Sequence, residues 1–528
     1  YAVSILAVLV CQLAIPFRVE MSAGSLASVL LTITLLAIPF TLVGVVVCLA
    51  LTKFGTKVNR LYAADLIGAG FGCLVLFGAF FVFDGLSLII FLAAVSAVGA
   101  MVFAVDAGTR RGLVISGIAA VVLLALALGN NARSFVEIIY EKEGELASTP
   151  TYDRWNHFSR ITVDGNPDDP GIPGVPGGLS PAAFDVARDA DGEPLLNAQG
   201  EPVSTVPLHV TRQLNLLIDG VAGTSIYHYD GDPASTEWLR YDVSNLHYHA
   251  LEDRDDMSAV VIGVGGGKDV LSALQFDAEE VVGIEINGEI LDLVNNELRS
   301  FSGGVDADPR VTYVEDEARS WLERADRQFD SIQISLIDSW AATAAGAYSL
   351  TENSLYTVEG WEMFLDRLEP ESEGEPAGLL SATRFHTHDT EEPLEVIRTL
   401  VLASEVLDQR GVDNPREHIA VYEGPEGPYG ESLATVMVSP RPLESDVLDA
   451  LDATAAEMEY TALLTPSEAA DPRYEELMTP GGPGGAVGQF SADVSAPTDD
   501  RPFFYQMASQ GDVLRQEGLD QDSHIFNG

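Results

Sequence analysis

The sequence predicts an α-helical membrane domain, a small β-domain and a larger α/β domain, because composition and hydrophobic periodicity both change along the chain. Residues 1–130 are almost continuously apolar, whereas the rest of the chain is rich in acids. From residue 257 onward, short apolar runs typical of buried strands alternate with helical patterns. This alternation is typical of a mostly parallel, doubly wound sheet that binds its ligand at the carboxyl ends of the strands.

The apolar region 1–130 contains four or five segments of about the 18 to 25 residues that a helix needs to cross a bilayer. These segments are residues 1–17, 25–52, 63–83, 85–105 and 112–129. We therefore predict a multi-pass protein of the cell membrane that contacts the lipid bilayer. Basic residues at 53–60 and 110–111 favour a cytoplasmic position for their loops. Strict alternation of the spans would then put the acidic part outside, whereas the cofactor predicted below favours the cytoplasm, so both orientations stay open.

We predict the small β-domain at residues 131–256, because hydrophobicity alternates along residues 154–165 and 213–229 as it does in strands. Between these stretches, the Pro-, Gly- and Asp-rich residues 166–207 predict a surface insertion. The remaining boundaries are 257–445 for a Rossmann-like domain and 446–528 for a C-terminal extension.

The charge of the chain is strongly one-sided, with 79 acidic and 29 basic residues and a formal net charge of −50. Only four of the basic residues are lysines: Lys53, Lys57, Lys142 and Lys268. An acid-rich, lysine-poor surface is typical of halophilic, haloarchaeal-type proteins, and recruitment of basic partners is the alternative interpretation. The excess of acids argues against nucleic acid as a partner, since phosphates need a positively charged track.

The stretch VVIGVGGGKDVL, residues 260–271, predicts a strand, a glycine loop and the start of a helix. Gly263, Gly265 and Gly267 follow the strand, and Glu285 ends the next strand about twenty residues later, where an acid reaches ribose hydroxyls. A dinucleotide loop would need a glycine at 268, which is lysine here. The G-x-G-x-G form therefore favours S-adenosylmethionine over NAD(P). The alternative is a tight turn between strand and helix that binds no ligand.

Further acids occupy equivalent positions at the ends of later predicted strands. Asp316 and Glu317 end RVTYVED, and Asp338 closes FDSIQISLID. Because the carboxyl ends of parallel strands meet at one edge, we predict that these acids converge on one crevice. Histidines at 247, 249, 386 and 388 lack a third ligand at zinc-like spacing, so we predict no metal site.

Together these stretches resemble the spermidine synthase family of polyamine aminopropyltransferases, most closely its membrane-fused branch. RWNHFSRITV and LNLLIDGVAGT resemble its small β-domain, VIGVGGGKDVL its glycine loop, VVGIEIN its ribose-binding strand, and SLIDSW with SLTENSLYT its active-site strand and loop. TDDRPFF, residues 498–504, also resembles this branch. The resemblance covers most of residues 150–445. It implies a class I methyltransferase-type fold, S-adenosylmethionine or its decarboxylated form as cofactor, and an amine or polyamine acceptor, and it allows a homodimer.

The resemblance also implies roles for individual residues. The cofactor-binding candidates are Gly263, Gly265, Gly267, Lys268, Asp269, Glu285, Asp316 and Glu317. The substrate-facing candidates are Asp242, His249 and Tyr356, and the catalytic candidates are Asp338 and Ser335.

Two positions depart from the family pattern. The acid of the family's G-G-G-D-G loop, which holds the amine of decarboxylated S-adenosylmethionine, corresponds to Lys268. The first acid of the family's D-S-S-D strand, which helps to take the proton from the attacking amine, corresponds to Ser335, and only Asp338 remains. A serine hydroxyl is a poor proton acceptor near neutral pH.

The lysine predicts a change of donor. An ammonium at 268 would repel an aminopropyl amine and attract a carboxylate, and two opposite charges about 4 Å apart gain roughly 1 to 4 kcal/mol. Intact S-adenosylmethionine carries that carboxylate, so the sequence predicts a preference for it and transfer of a methyl or aminocarboxypropyl group. Two alternatives stay open: Lys268 points to solvent, or the domain has lost catalysis and senses a ligand for a transporter-like membrane part.

Overall fold

A computed structural model describes residues 1–16, 23–53, 57–141, 146–168, 178–186, 204–207, 212–220, 222–337, 352–372, 375–387, 392–427, 431–479 and 483–507. The chain forms two compact units. The first comprises Tyr1–Asp164 and Leu217–Gly223, and the second comprises Gly165–Leu216 and Thr224–Gly528.

The first unit consists mainly of apolar helices. They are α1 (Ala2–Ala14), α2 (Ala23–Lys53), α3 (Val58–Phe80), α4 (Gly85–Asp106) and α5 (Arg110–Arg133). Four of them, α2 to α5, are long and apolar enough to cross a membrane, whereas α1 has only 13 residues. Large side chains such as Phe40 and Ile67 are 79% and 73% exposed in this unit. Such side chains fit a lipid environment, in which a helix satisfies its own backbone hydrogen bonds.

The strands before residue 257 are short and are shared between the two units. They are β1 (Tyr152–Trp155), β2 (Arg160–Asp164), β3 (Phe184–Val186), β4 (Ser204–Pro207), β5 (Gln213–Ile218) and β6 (Ala222–Tyr227). β1 and β2 pair antiparallel within the first unit, and β3 pairs antiparallel with β4 within the second. The division between the units passes through β5 and β6. A separate β-domain bounded at 130 and 256 therefore remains a prediction.

The second unit is built on an eight-stranded sheet in the order β14-β12-β13-β11-β10-β7-β8-β9. Its strands are β7 (Ser258–Ile262), β8 (Glu280–Glu285), β9 (Val311–Glu315), β10 (Ser331–Ser335), β11 (Leu379–Thr387), β12 (Ile419–Glu423), β13 (Glu431–Val438) and β14 (Thr461–Leu464). The strands β11, β10, β7, β8 and β9 are parallel. β13 runs antiparallel to both β11 and β12, and β14 runs antiparallel to β12. This arrangement confirms the predicted Rossmann-like sheet.

The order of the strands creates a switch point between β7 and β10. The chain proceeds outward from β7 to β8 and β9, and then returns to place β10 on the other side of β7. In doubly wound sheets, ligands bind outside the carboxyl ends of the strands at such a point. The glycine loop follows β7 directly.

Short helices cover both faces of this sheet. They are α6 (Leu246–His249), α7 (Lys268–Gln275), α8 (Gly288–Asp292), α9 (Arg299–Ser302), α10 (Ala318–Arg324), α11 (Glu352–Leu355), α12 (Val358–Asp366), α13 (Leu394–Gln409), α14 (Ser445–Met458) and α15 (Pro472–Leu477). In β7, Val260 and Ile262 join one core cluster, whereas Ala259 and Val261 join another. Burial of both faces explains why this strand is continuously apolar.

Two expectations about local structure need correction. His247 and His249 both lie on helix α6, so their alternation along the sequence does not reflect a strand. The carboxylate of Asp242 accepts a hydrogen bond from the Ser244 amide and caps the 3-10 turn that leads into α6, so a local cap outweighs the alternating pattern. The predicted boundary at 445 lies between strands of one sheet, because β14 pairs with β12.

Candidate functional site

The glycine loop connects β7 to α7 with a backbone that favours glycine. Gly263, Gly265 and Gly267 have φ angles of 79°, 50° and 89°. A Cβ atom at Gly266 would lie 2.0 Å from the carbonyl oxygen of Ser225. Residue 266 must therefore be glycine for β6 to approach the loop.

Glu285 ends β8 and reaches back to this loop. Its carboxylate accepts hydrogen bonds from the Gly265 amide at 3.1 Å and from the Asn287 amide at 2.9 Å. The side chain is only 7% exposed, and burial raises its pKa. Each carboxylate oxygen can accept more than one hydrogen bond, so these contacts leave capacity for a hydroxyl ligand.

Asp316 and Glu317 follow β9, which neighbours β8 in the sheet. The Asp316 carboxylate pairs with the guanidinium of Arg324. The Glu317 carboxylate caps α10, since it accepts the amides of Arg319 and Ser320 at 3.0 and 2.8 Å. Both carboxylates thus already serve the local structure, and Glu317 is the more fully engaged of the two.

Lys268 begins α7 and turns toward Asp242. Its Nζ lies 2.9 Å from Oδ2 of Asp242 and 3.2 Å from Oγ of Ser244. The Asp242 side chain is completely buried, and that of Lys268 is 21% exposed. Burial opposes the ammonium charge, but the attraction of Asp242 and Asp269 outweighs it and raises the pKa of Lys268. The lysine therefore does not simply point to solvent, and its charge is compensated within the protein.

Asp269 follows Lys268 in the first turn of α7. Its Oδ1 lies 3.9 Å from Nζ of Lys268 and has no hydrogen-bond partner among the residues that the structure describes. The residue is 6% exposed, and burial is the main reason that its pKa is raised. The Lys268 ammonium, and then the hydroxyl of Ser335 at the end of β10, lower this pKa in part. We refer to Asp242, Lys268, Asp269 and Ser335 as the loop cluster.

A buried amide network, which the sequence analysis missed, supports the loop cluster. Nε2 of Gln333 lies 3.2 Å from Oγ of Ser335 and 3.1 Å from Oδ1 of Asn245. Oε1 of Gln333 accepts a hydrogen bond from the Tyr248 hydroxyl at 2.9 Å. The signal in the sequence was the glutamine at the centre of the buried strand SIQIS, because a buried amide needs partners.

The backbone leaves regular geometry where β10 ends. Leu336 has a φ angle of 48°, which is rare for a residue with a side chain. The side chain of the next residue, Ile337, lies 3.0 Å from the position that a Cβ atom would occupy at Gly263. The end of β10 therefore packs against the glycine loop. The predicted catalytic Asp338 lies outside the described residues.

Two predicted substrate residues lie apart from the loop cluster. His249 contacts the carbonyl oxygen of Arg240 at 2.8 Å, and burial lowers its pKa. Its neighbour His247 is fully buried 3.0 Å from Oγ of Ser331, and burial lowers its pKa to about 3. Tyr356 is fully buried in the core and accepts a hydrogen bond from Arg384 at 3.0 Å. Arg384 and aromatic rings enclose the Tyr356 side chain, and its contact with a substrate stays a prediction.

Metal coordination finds no support in the part of the chain that the structure describes. No group of three or more His, Cys, Asp or Glu side chains there could hold a metal ion. His386 instead contacts the Glu423 carboxylate at 2.7 Å, and His388 lies outside the described residues.

This chain has limited similarity to known proteins. No protein-family model matches the sequence. A polyamine aminopropyltransferase of Corynebacterium efficiens is 33% identical over 108 residues, which are 20% of this chain and 21% of that protein. The match thus spans about a fifth of that relative's length.

Among solved structures, spermidine synthase from Thermotoga maritima is 17% identical, with a TM-score of 0.34 over 58% of this chain and 77% of that one. A probable spermidine synthase from Corynebacterium glutamicum is 16% identical, with a TM-score of 0.36 over 67% of this chain and 97% of that one. Human methyltransferase-like protein 13 is 14% identical, with a TM-score of 0.26 over 42% of this chain and 89% of that one. The Rossmann-like fold of the second unit rests on its own sheet topology.

Proposed function

We propose that this chain is a membrane-anchored transferase whose second unit binds an S-adenosylmethionine-type donor at the glycine loop and transfers an alkyl group to an amine or polyamine. The observation that carries the proposal is the buried carboxylate of Glu285 on the Gly265 amide, beside a loop cluster in which Oδ1 of Asp269 has no hydrogen-bond partner among the described residues. The first feature suits ribose hydroxyls, and the second suits an ammonium group. The partial similarity to a polyamine aminopropyltransferase supports the same chemistry.

The charges of the loop cluster favour the decarboxylated donor over intact S-adenosylmethionine. The one cation, Lys268, already pairs with Asp242, so the physical reason for attracting a donor carboxylate is removed. Two carboxylates against one ammonium leave an excess negative charge when both acids are ionised. Decarboxylated S-adenosylmethionine carries one more net positive charge than the intact form. We therefore infer that the transferred group is aminopropyl, in contrast to the preference predicted from Lys268 alone.

The residues divide the chemistry among them. The bound donor supplies a sulfonium-activated carbon, to which the acceptor nitrogen forms a bond as the carbon–sulfur bond breaks. Glu285 holds the ribose side of the donor, and Asp316 lies at the neighbouring strand end. Asp338 orients the acceptor amine and takes the proton that the amine loses, because Ser335 is a poor proton acceptor.

The position at the membrane follows from the first unit. Four apolar helices are long enough to anchor the chain in a bilayer. We propose a cytoplasmic second unit because the predicted cofactor favours the cytoplasm. The net charge of −50 would concentrate cationic polyamines near the protein, an effect that weakens as salt rises.

Calorimetric titration of the full chain in lipid nanodiscs with both donors tests the inferred donor. We expect decarboxylated S-adenosylmethionine to bind about tenfold more tightly than the intact form, or about 1.4 kcal/mol. Asp269→Asn should reduce this difference, whereas the exposed Asp253→Asn should not. Tighter binding of intact S-adenosylmethionine to the wild type would overturn the aminopropyl assignment.

Turnover separates a transferase from the alternative of a ligand-sensing domain without catalysis. Labelled decarboxylated donor and a diamine should give a labelled polyamine with the wild type. Asp338→Asn should bind the donor as the wild type does and form product at least about a hundredfold more slowly, the usual scale for removing a general base. Donor binding without product from the wild type would favour the sensing role.

A further inference from the structure

The segment Ser495–Met507, which contains TDDRPFF, packs against the sheet and is hereafter the C-terminal segment. Phe504 is fully buried in the same core cluster as Ile334 of β10 and Ala382 of β11. Arg398 of α13 donates hydrogen bonds to the carbonyl oxygens of Ser495, Phe503, Phe504 and Gln506 at 2.6 to 3.1 Å. This arginine is only 4% exposed, so the segment is anchored from inside the protein.

A second arginine fixes the aromatic rings of the C-terminal segment. The guanidinium carbon of Arg384 lies 5.2 to 5.5 Å from the ring centres of Tyr356, Phe504 and Tyr505. Arg384 is fully buried and also pairs with Glu395 at 2.6 Å. A desolvated guanidinium among aromatic faces restricts the orientations that those rings can adopt. The direction of the Tyr505 ring is thereby constrained.

The hydroxyl of Tyr505 reaches the end of β10. It donates a hydrogen bond to the carbonyl oxygen of Ile337 at 3.1 Å. Ile337 packs against Gly263 and follows Leu336, whose left-handed conformation needs support from its surroundings. One hydroxyl thus connects the C-terminal segment to the point where the active strand meets the glycine loop.

The same segment also contacts the elements on either side of this point. The Asp499 carboxylate accepts hydrogen bonds from Arg319 at 2.6 Å and from Thr357 at 2.9 Å. The Pro497 carbonyl accepts the amide of Val358 at 2.9 Å. Arg319 lies two residues after Glu317, so the segment spans from the end of β9 to the end of β10.

We propose that Tyr505 is a positioning residue for the alkyl transfer: its hydroxyl holds the Ile337 carbonyl and so fixes the left-handed turn at Leu336 against the glycine loop. This inference rests on the proposed function. Tyr505 acts through the backbone of the active strand, and its expected effect is on turnover rather than on donor binding.

Tyr505→Phe tests the role because it removes the hydroxyl and keeps the ring among Arg384, Phe504 and Tyr356. We expect kcat to fall about tenfold with an unchanged KM for the donor. A tenfold loss of rate needs only a small rise in the activation barrier of the transfer, such as a loosened turn would cause. We also expect faster hydrogen–deuterium exchange in the peptide containing Leu336 and Ile337. The matched control is Tyr422→Phe, which removes a buried hydroxyl that contacts Asp452 away from the glycine loop.

The outcomes separate this inference from the proposed function. If the wild type forms no product, the proposed function fails, and the exchange experiment still decides whether Tyr505 holds the turn. If Tyr505→Phe matches Tyr422→Phe in both kcat and exchange at 336–337, the positioning role is wrong. Equal losses of kcat in both variants would likewise reduce Tyr505 to a contributor to stability.

Discussion

Lys268 and Arg398, two cations of the second unit, have different kinds of partner. Lys268 pairs with Asp242 and lies near Asp269, a second carboxylate whose Oδ1 has no hydrogen-bond partner within the described residues. Arg398 contacts four neutral carbonyl oxygens of one segment. A cluster with excess carboxylate can accept a cationic ligand, whereas a cation surrounded by backbone carbonyls holds a segment in place. The surroundings of Lys268 therefore suit ligand binding, whereas those of Arg398 stabilise the fold.

Replacement of Arg398 should have the largest effect on stability. Arg398→Met leaves several buried carbonyl groups without donors, and we expect the free energy of unfolding to fall by about 4 kcal/mol. Arg398 is only 4% exposed, and this burial lowers its pKa to about 10. Denaturant unfolding of the full chain in detergent measures the change. Arg410→Met, which removes a more exposed pair with Asp366, is the control, and equal losses in both variants would contradict the anchoring role.

The Lys268–Asp242 pair should show the next largest effect. Lys268→Met leaves the buried Asp242 carboxylate without its cation, at a cost of about 3 kcal/mol. Replacement of both partners, as Lys268→Met with Asp242→Asn, should recover part of that loss because no buried charge remains unpaired. Unfolding of the wild type, the two single variants and the double variant gives the coupling between the residues. Additive losses would show that the two side chains do not compensate each other.

The sheet and the glycine loop could be predicted from the sequence, because both depend on local patterns. Buried strands are continuously apolar, and Gly263, Gly265 and Gly267 occupy positions with positive φ. Glu285 could also be placed, since a strand end close to the loop fixes its position.

The partners of Lys268 and Tyr356 could not be predicted, because they come from distant parts of the chain. Asp242 lies 26 residues before Lys268, in a turn whose cap is not visible in the hydrophobic pattern. Tyr356 is enclosed by Arg384 of β11 and by Phe504, which the C-terminal segment contributes. The sequence shows the type of each residue, but long-range packing decides whether it faces a ligand or the core.

Asp269 should affect ligand binding more than stability. Burial raises its pKa above the ordinary value of 3.8, so its ionised form is disfavoured in the folded protein. The wild type therefore loses stability as pH rises from about 3.8 through the raised pKa, and Asp269→Asn lacks this loss. Between pH 3.8 and the raised pKa, the free energy of unfolding of Asp269→Asn should therefore increase relative to that of the wild type. At higher pH the difference should stay constant. Glu285 also has a raised pKa but is present in both proteins, so its contribution cancels.

The same Asp269→Asn variant should bind decarboxylated S-adenosylmethionine about tenfold more weakly, because the carboxylate nearest to an incoming ammonium is neutralised. Titration at pH 7.5, with Asp253→Asn as the control, measures this change. Unchanged affinity together with the expected pH profile would make Asp269 a buried acid without a part in binding.

The exposed end of the C-terminal segment should show the smallest effect. Asp499 is 44% exposed and pairs with Arg319, so Asp499→Asn should cost less than about 1 kcal/mol, and less still in high salt. Hydrogen bonds from Arg319 lower the pKa of Asp499, so the contribution is present above its ordinary value of 3.8 and is lost as pH falls through the lowered pKa. Unfolding measured at pH 7 and below pH 3 gives this difference. If Asp499→Asn cost as much stability as Arg398→Met, the exposed Arg319–Asp499 pair, rather than the buried Arg398, would hold the C-terminal segment against β10.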